Sequence, residues 1–127
     1  MKFAVRGLGV LAALYLMVLA GVFVFQRKLL YHPHTDIVAP SQVGVSVQNI
    51  KTADGQTLKA WYLPPPQGAP IFLYFDGNGG HPDIWTGRWK RIAAAGTGFL
   101  AVYYRGYSGS TGHPTEAGLH ADARAGY

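Results

Sequence analysis

The chain has 127 residues, 49% of them hydrophobic, a formal net charge of +5 and no cysteine. A chain of this length forms one small domain at most, and the lack of cysteine excludes disulfides, cysteine-based zinc sites and a cysteine nucleophile. The charge does not favour nucleic-acid binding, because four basic residues precede residue 29 and the remainder carries seven basic against six acidic residues.

The first element is an apolar run. Residues 7–25, "GLGVLAALYLMVLAGVFVF", carry no charge, and basic residues flank them on both sides (Lys2, Arg6, Arg27 and Lys28). At roughly 1.5 Å per residue such a helix crosses a hydrocarbon core of about 30 Å. The pattern predicts a single-pass membrane anchor over residues 1–28 that contacts lipid, with the side of the following domain undetermined. A cleaved signal peptide is the alternative, because "VLA" at residues 18–20 fits the small-residue cleavage rule.

An irregular juxtamembrane segment, residues 29–44, follows the apolar run. Its "HPHTD" places His32, His34 and Asp36 at alternate positions, which suits metal ligands on one side of an extended strand. Pro33 interrupts that strand, and no second ligand cluster completes a site. We therefore expect no metal here.

Residues 45–127 form the predicted folded domain, and its first part is β-rich. Two runs, Val45 to Lys51 and Thr57 to Leu63, are joined around Asp54-Gly55, which is typical of a hairpin. The run "IFLYF" at residues 71–75 is continuously apolar and therefore predicts a strand buried on both faces.

The second part of the domain alternates helix and strand. Asp83 is the predicted N-cap of a helix that ends at Gly96, and "FLAVYY" at residues 99–104 is a second buried strand. Thr115 is the predicted cap of a last helix, residues 116–127, in which Gly118 and Gly126 weaken helix propensity. A hairpin followed by strand, helix, strand and helix predicts an α/β domain with a parallel βαβ unit.

The glycine-rich loop "DGNGG" after the strand at residues 71–75 is the main candidate site. A dinucleotide fingerprint would require a third glycine where Pro82 stands, and no Gly-Lys-Ser/Thr follows to make a phosphate-binding loop. A phosphatase-type aspartate pair is also incomplete, because Asn78 occupies the position two residues after Asp76.

Several stretches in order ("LLYHP", "TADGQTLKAWYLPPP", "IFLYFDGNGG" and "LAVYYRGYSGSTGHPTEAGLHADARAGY") resemble the first half of an α/β-hydrolase. The resemblance is to the membrane-anchored abhydrolase-domain branch of serine hydrolases. It implies a twisted, mostly parallel sheet, whose loops carry an acyl-transfer site for ester or lipid substrates. It implies no cofactor and no metal.

The resemblance also implies an oxyanion hole in the glycine-rich loop. Carried over by position, the donor is the backbone N–H of Asn78, and Gly77 and Gly79 let a substrate oxygen approach the backbone. Asp76 replaces the family's histidine, and its carboxylate would oppose a developing oxyanion unless it is directed away and binds the N–H groups of the loop.

The catalytic residues themselves are absent from the sequence. No Gly-x-Ser-x-Gly elbow occurs, and Ser110 in "SGSTG" is the nearest imitation. We expect loop or surface positions for the histidines (His81, His113 and His120) and a structural ion pair for Asp122.

Three hypotheses follow from this pattern. In the first hypothesis, the chain is the N-terminal portion of a membrane-anchored serine hydrolase, truncated before the elbow and inactive alone. In the second hypothesis, it is a non-catalytic membrane-anchored binding module. In the third hypothesis it is a complete small enzyme that uses Asp76 or Ser110.

Overall fold

The computed structural model describes residues 2–79 and 86–127. The chain divides into two compact units, residues 1–32 and residues 33–127. Within the described residues, the first unit holds one helix and the second holds a four-stranded sheet with two helices.

Helix α1, Lys2–Leu30, makes up most of the first unit. It has 29 residues, its most apolar 18-residue window has a mean hydropathy of 2.6, and none of its residues is buried. A helix of this length extends about 44 Å, more than the hydrocarbon core requires. By length and composition it is a candidate membrane span, a property that a signal sequence shares.

Strands β1 (Ser46–Lys51) and β2 (Thr57–Leu63) form the predicted hairpin. They pair antiparallel from Ser46 opposite Tyr62 to Lys51 opposite Thr57. Gly55 adopts a φ of 83° in the turn, and its N–H donates to the carbonyl oxygen of Thr52 at 3.0 Å. The positive φ explains why the Asp-Gly pair marks this turn.

Strand β3 (Ile71–Phe75), helix α2 (Thr86–Ala94) and strand β4 (Gly98–Val102) form the predicted βαβ unit. Strands β3 and β4 are parallel, as expected, and the sheet order is β1-β2-β4-β3. Because β2 pairs antiparallel with β4, the sheet is mixed. Gly96, with a φ of 72°, follows the end of α2, whereas the predicted cap Asp83 lies outside the described residues.

Helix α3, Glu116–Gly126, begins at the predicted cap, and the Thr115 hydroxyl accepts the N–H of Gly118 at 3.0 Å. The two glycines that weaken its helix propensity both have a packing reason. A Cβ at Gly118 would lie 2.7 Å from the side chain of Arg105, and one at Gly126 would lie 3.0 Å from Val102. Close packing, rather than propensity, therefore selects glycine here.

The sheet packs apolar side chains on alternate positions, as a period of two requires. One buried cluster contains two tryptophans, in which the ring of Trp89 stacks on Phe99 at a centroid distance of 4.7 Å. Its members are Trp61, Trp89, Phe99, Ala101 and Tyr103. A second cluster consists of Leu58, Ala60 and Val102.

The sheet corrects one expectation, the burial of strand β3. Strand β3 was expected to be buried on both faces, yet Ile71 and Phe72 are 45% and 51% exposed. The reason is that β3 pairs only with β4 and lies at an edge of the described sheet. Strand β4, by contrast, lies between β2 and β3.

Candidate functional site

The glycine-rich loop, residues 76–79, begins where β3 ends. Because β3 and β4 are parallel, with Phe75 opposite Val102, the segments that follow both strands leave the sheet at the carboxyl ends of these strands. The two segments are in contact: the Tyr107 hydroxyl donates to Oδ1 of Asn78 at 2.7 Å. In open α/β sheets, ligands bind outside the carboxyl ends of the strands.

Asp76 binds the backbone of its own loop. Its Oδ1 accepts the N–H of Gly77 at 2.9 Å and lies 3.4 Å from the Tyr74 hydroxyl. Its Oδ2 is buried and has no hydrogen-bond partner within the described residues. Burial raises the pKa of the Tyr74 hydroxyl, and the negative charge of Asp76 raises it further. Asp76 thus contacts the backbone of its own loop at Gly77.

Gly77 and Gly79 leave open space beside the loop. A Cβ placed on either glycine would have no heavy atom of residues 2–79 and 86–127 within 4 Å, and both residues are exposed. Gly79 has a φ of 82°, in the left-handed region that residues other than glycine rarely adopt. The backbone here is therefore accessible to a small group that approaches from solvent.

Tyr107 is buried, with 6% of its surface exposed. Its ring meets the ring of His34 edge-on at 5.6 Å, and the next residue, Ser108, donates its N–H to the carbonyl oxygen of His34 at 2.8 Å. This tyrosine is not among the site residues predicted from the sequence. The contact with Asn78 spans 29 positions in the chain, and no local pattern marks it.

Ser110 serves a structural purpose. Its hydroxyl donates to the carbonyl oxygen of Tyr103 and accepts the N–H of Lys59, both at 2.9 Å. It therefore links the backbone of β2 to the segment after β4, and only 8% of the residue is exposed. Both hydrogen bonds of the Ser110 hydroxyl thus go to backbone groups.

Arg105 connects three parts of the domain. Its guanidinium lies 2.7 Å from Oδ2 of Asp54 in the hairpin turn and 2.8 Å from Oδ1 of Asp122 in α3. Hydrogen bonding to Arg105 lowers the pKa of Asp54 to about 2, and its partners raise the pKa of Arg105. Asp122 is fully buried, and its contact with Arg105 confirms the predicted ion pair, whose basic partner no sequence pattern marked.

Two of the three histidines that the sequence analysis considered lie within the described residues. His113 and His120 are exposed, as expected, and His81 lies outside the described residues. Within residues 2–79 and 86–127, no group of three or more His, Asp or Glu residues could hold a metal ion. The side chains of His32, His34 and Asp36 therefore do not form a ligand set.

Known proteins are similar in sequence to most of this chain. No protein-family model matches. An uncharacterised Mycobacterium tuberculosis protein is 36% identical over 123 residues, which cover 89% of this chain and 43% of that protein. Protein bem46 of Schizosaccharomyces pombe is 28% identical, with 88% and 42% coverage. The α/β hydrolase domain-containing protein WAV2 of Arabidopsis thaliana is 28% identical, with 86% and 40% coverage.

Solved structures share the fold. An α/β hydrolase from Vibrio vulnificus has a TM-score of 0.54 and 25% identity, and covers 66% of this chain and 29% of its own. A Pyrococcus furiosus esterase has a TM-score of 0.54 and 17% identity, with 76% and 41% coverage. The chain thus spans about two fifths of the length of the curated relatives it matches.

Proposed function

Since this chain resembles the N-terminal half of α/β-hydrolases of the abhydrolase-domain branch, we propose that it supplies the oxyanion loop of a serine esterase or lipase. One observation carries the proposal. An open glycine loop follows β3 at the end of the sheet where the segment after β4 also emerges, in a chain similar to the α/β hydrolase domain-containing protein WAV2.

The proposed donor is the backbone N–H of Asn78. Acyl transfer builds negative charge on a carbonyl oxygen, and a fixed N–H dipole stabilises that charge without reorganising. The open space beside Gly77 and Gly79 lets a substrate oxygen approach the backbone. In this proposal the substrate is an ester or a lipid, and neither a cofactor nor nucleic acid takes part.

Asp76 would modify this chemistry through its charge. A carboxylate about 5 Å from the oxyanion, at an effective dielectric near 20, would oppose it by about 3 kcal/mol, or roughly a hundredfold in rate. Because Oδ1 of Asp76 holds the N–H of Gly77, replacement by asparagine retains an acceptor and removes the charge. In an active assembly, Asp76→Asn should therefore raise turnover.

The 127-residue chain is proposed to be inactive alone. It contains no Gly-x-Ser-x-Gly elbow, and the Ser110 hydroxyl is held by two backbone groups. We expect no labelling of the purified chain by a serine-reactive fluorophosphonate. Labelling that disappears in Ser110→Ala would contradict this and would favour a complete small enzyme.

Membrane anchoring is part of the same proposal. Residues 1–28 would cross the bilayer once within α1, residues 29–44 would follow as the juxtamembrane segment, and residues 45–127 would form the partial hydrolase domain. The apolar helix with basic residues at both ends supports this arrangement. Carbonate-resistant membrane association of the full chain is the expected result, and release by carbonate would contradict it.

A second candidate function is a non-catalytic membrane-anchored module that binds a partner or a lipid. The absence of the nucleophile elbow from the sequence favours it. The two functions separate in a chimera that joins this chain to the unmatched part of the 36% identical Mycobacterium tuberculosis relative. The p-nitrophenyl butyrate hydrolysis of the parent relative is measured first and serves as the reference. A hydrolase portion should give a chimera with a comparable rate, whereas a binding module should give an inactive chimera from an active parent.

The chimera also tests the donor directly. Asn78→Pro removes the backbone N–H, and Asn78→Ala retains it while removing the side chain. Loss of one oxyanion donor costs roughly 10²–10³ in kcat. We expect a loss of this size in Asn78→Pro and a smaller loss in Asn78→Ala, and equal effects would contradict the assignment.

A further inference from the structure

The glycine loop has little in its own sequence to hold it in one conformation. Gly77 and Gly79 carry no side chain, both are exposed, and glycine loses more backbone entropy on ordering than any other residue. Asp76 holds one N–H, that of Gly77, within the loop itself. Contacts from outside the loop must therefore contribute to its order.

Tyr107 makes such a contact with a hydroxyl that donates to Oδ1 of Asn78 at 2.7 Å. A buried ring has few alternative positions, and Tyr107 is only 6% exposed. The hydrogen bond therefore joins the central residue of an open loop to a side chain that packing already fixes.

The backbone around Tyr107 is fixed as well. Its N–H donates to the carbonyl oxygen of Tyr104 at 3.0 Å, and its own carbonyl oxygen accepts the N–H of Ser110 at 2.8 Å. The neighbouring N–H of Ser108 binds His34, whose ring lies edge-on against the tyrosine. Hydrogen bonds within residues 104–110 and to His34 therefore both hold the segment that carries Tyr107.

The charge of the contact is also suitable. The tyrosine hydroxyl is a neutral donor, so it orients Asn78 without bringing a second negative group beside Asp76. A carboxylate in its place would add to the repulsion that an oxyanion meets at this loop.

From these contacts we propose that Tyr107 is a positioning residue, whose hydroxyl holds Asn78 in the orientation that an oxyanion donor requires. This inference rests on the proposed function for the direction of its effect on catalysis. The ordering of the loop itself is independent of catalysis and is measured separately.

The chain contains a matched control for this residue. Tyr104 lies three positions earlier in the same segment and is half-buried, with its ring stacked on Phe75 at 5.5 Å. Tyr107→Phe and Tyr104→Phe each remove one phenolic hydroxyl from neighbouring positions. Only the first removes the hydrogen bond to Asn78.

The first measurement uses the full 127-residue chain in detergent micelles and records backbone ¹⁵N order parameters of Gly77, Asn78 and Gly79. We expect values near 0.85 in the wild type, below about 0.6 in Tyr107→Phe, and unchanged in Tyr104→Phe. An ordered loop in Tyr107→Phe overturns the proposal, and so does equal loosening in both variants.

The second measurement uses ester hydrolysis by the chimera with the Mycobacterium tuberculosis relative. Tyr107→Phe should lower kcat roughly tenfold with little change in KM, and Tyr104→Phe should be neutral. In the Asn78→Ala background, Tyr107→Phe should have no further effect, because the hydrogen bond needs both residues. Additive losses, or an unchanged kcat with a loosened loop, overturn the positioning role.

The two proposals fail in different ways. If Asn78→Pro leaves kcat unchanged, the oxyanion assignment is wrong, whatever the order parameters show. If Asn78→Pro is impaired while Tyr107→Phe keeps its loop ordered and its kcat intact, only the positioning role of Tyr107 is wrong.

Discussion

Replacement of Asp122 by alanine should be among the most destabilising changes in the folded domain. Asp122 is fully buried and accepts three hydrogen bonds from Arg105: from the backbone N–H at 2.9 Å, from Nε at 3.0 Å and from Nη2 at 2.8 Å. Asp122→Ala would leave the guanidinium, whose side chain is 7% exposed, with Asp54 as its remaining acidic partner.

The expected magnitude follows from the burial of this pair. Removal of one member of a buried ion pair costs about 3–5 kcal/mol, because the other charge stays desolvated. Asp54 continues to bind Arg105, so we expect the lower end, about 3 kcal/mol. Small domains are stable by about 5 kcal/mol or slightly more, and such a loss would remove most of that stability.

Urea unfolding of the full chain in detergent, followed by tryptophan fluorescence, measures this effect, since Trp61 and Trp89 are 5% and 2% exposed. The midpoint should fall by roughly 1–3 M. Asp54→Ala is the control, because its side chain is 48% exposed and binds the same guanidinium; its effect should be clearly smaller. Equal midpoints for the two variants, or a shift below about 0.5 M in Asp122→Ala, would refute the reasoning.

Three further predictions concern stability. Gly98→Ala should lower the free energy of unfolding by about 1–3 kcal/mol, because its Cβ would lie 2.5 Å from the carbonyl oxygen of Leu63. Urea midpoints should show no such loss in the control Gly77→Ala, where no described atom lies within 4 Å of the added Cβ. Ser108→Gly should raise the free energy of unfolding by about 1 kcal/mol, since Ser108 has a φ of 46° and a buried hydroxyl without a partner among the described residues. A lower urea midpoint would show that the hydroxyl makes a stabilising hydrogen bond. The pKa of Asp54 is lowered from 3.8 to about 2, so its contribution to stability is complete above pH 4 and is lost as the pH falls from 4 to 2; Asp54→Asn should remove this part of the acid dependence, and an unchanged acid transition would argue against the pair.

The local features of the fold were predictable because short stretches of sequence determine them. The turn at Asp54-Gly55 and the cap at Thr115 depend on a few adjacent residues, and both are present in the structure. The bounds of β2 and β3 also agree with the predicted runs. A continuous apolar run shows that a strand is present without showing its place in the sheet, so the exposure of β3 could not be predicted.

The contacts that brace the candidate site were not predictable in the same way. Arg105 reaches Asp54 across 51 positions, and Tyr107 reaches Asn78 across 29. The pairing of β2 with β4, and of β4 with β3, brings these distant segments together. The spacing of the sequence identifies the glycine loop, whereas the tertiary fold identifies the tyrosine that contacts it.

The kcat of the Asn78→Pro chimera, compared with that of Asn78→Ala, tests the central claim most directly. Both variants lose the Asn78 side chain and its contact with Tyr107, and only proline loses the backbone N–H. If the loop is an oxyanion hole, proline should lower p-nitrophenyl butyrate turnover by roughly 10²–10³, and alanine by roughly tenfold. Equal turnover in the two variants would contradict the assignment of Asn78 as the donor.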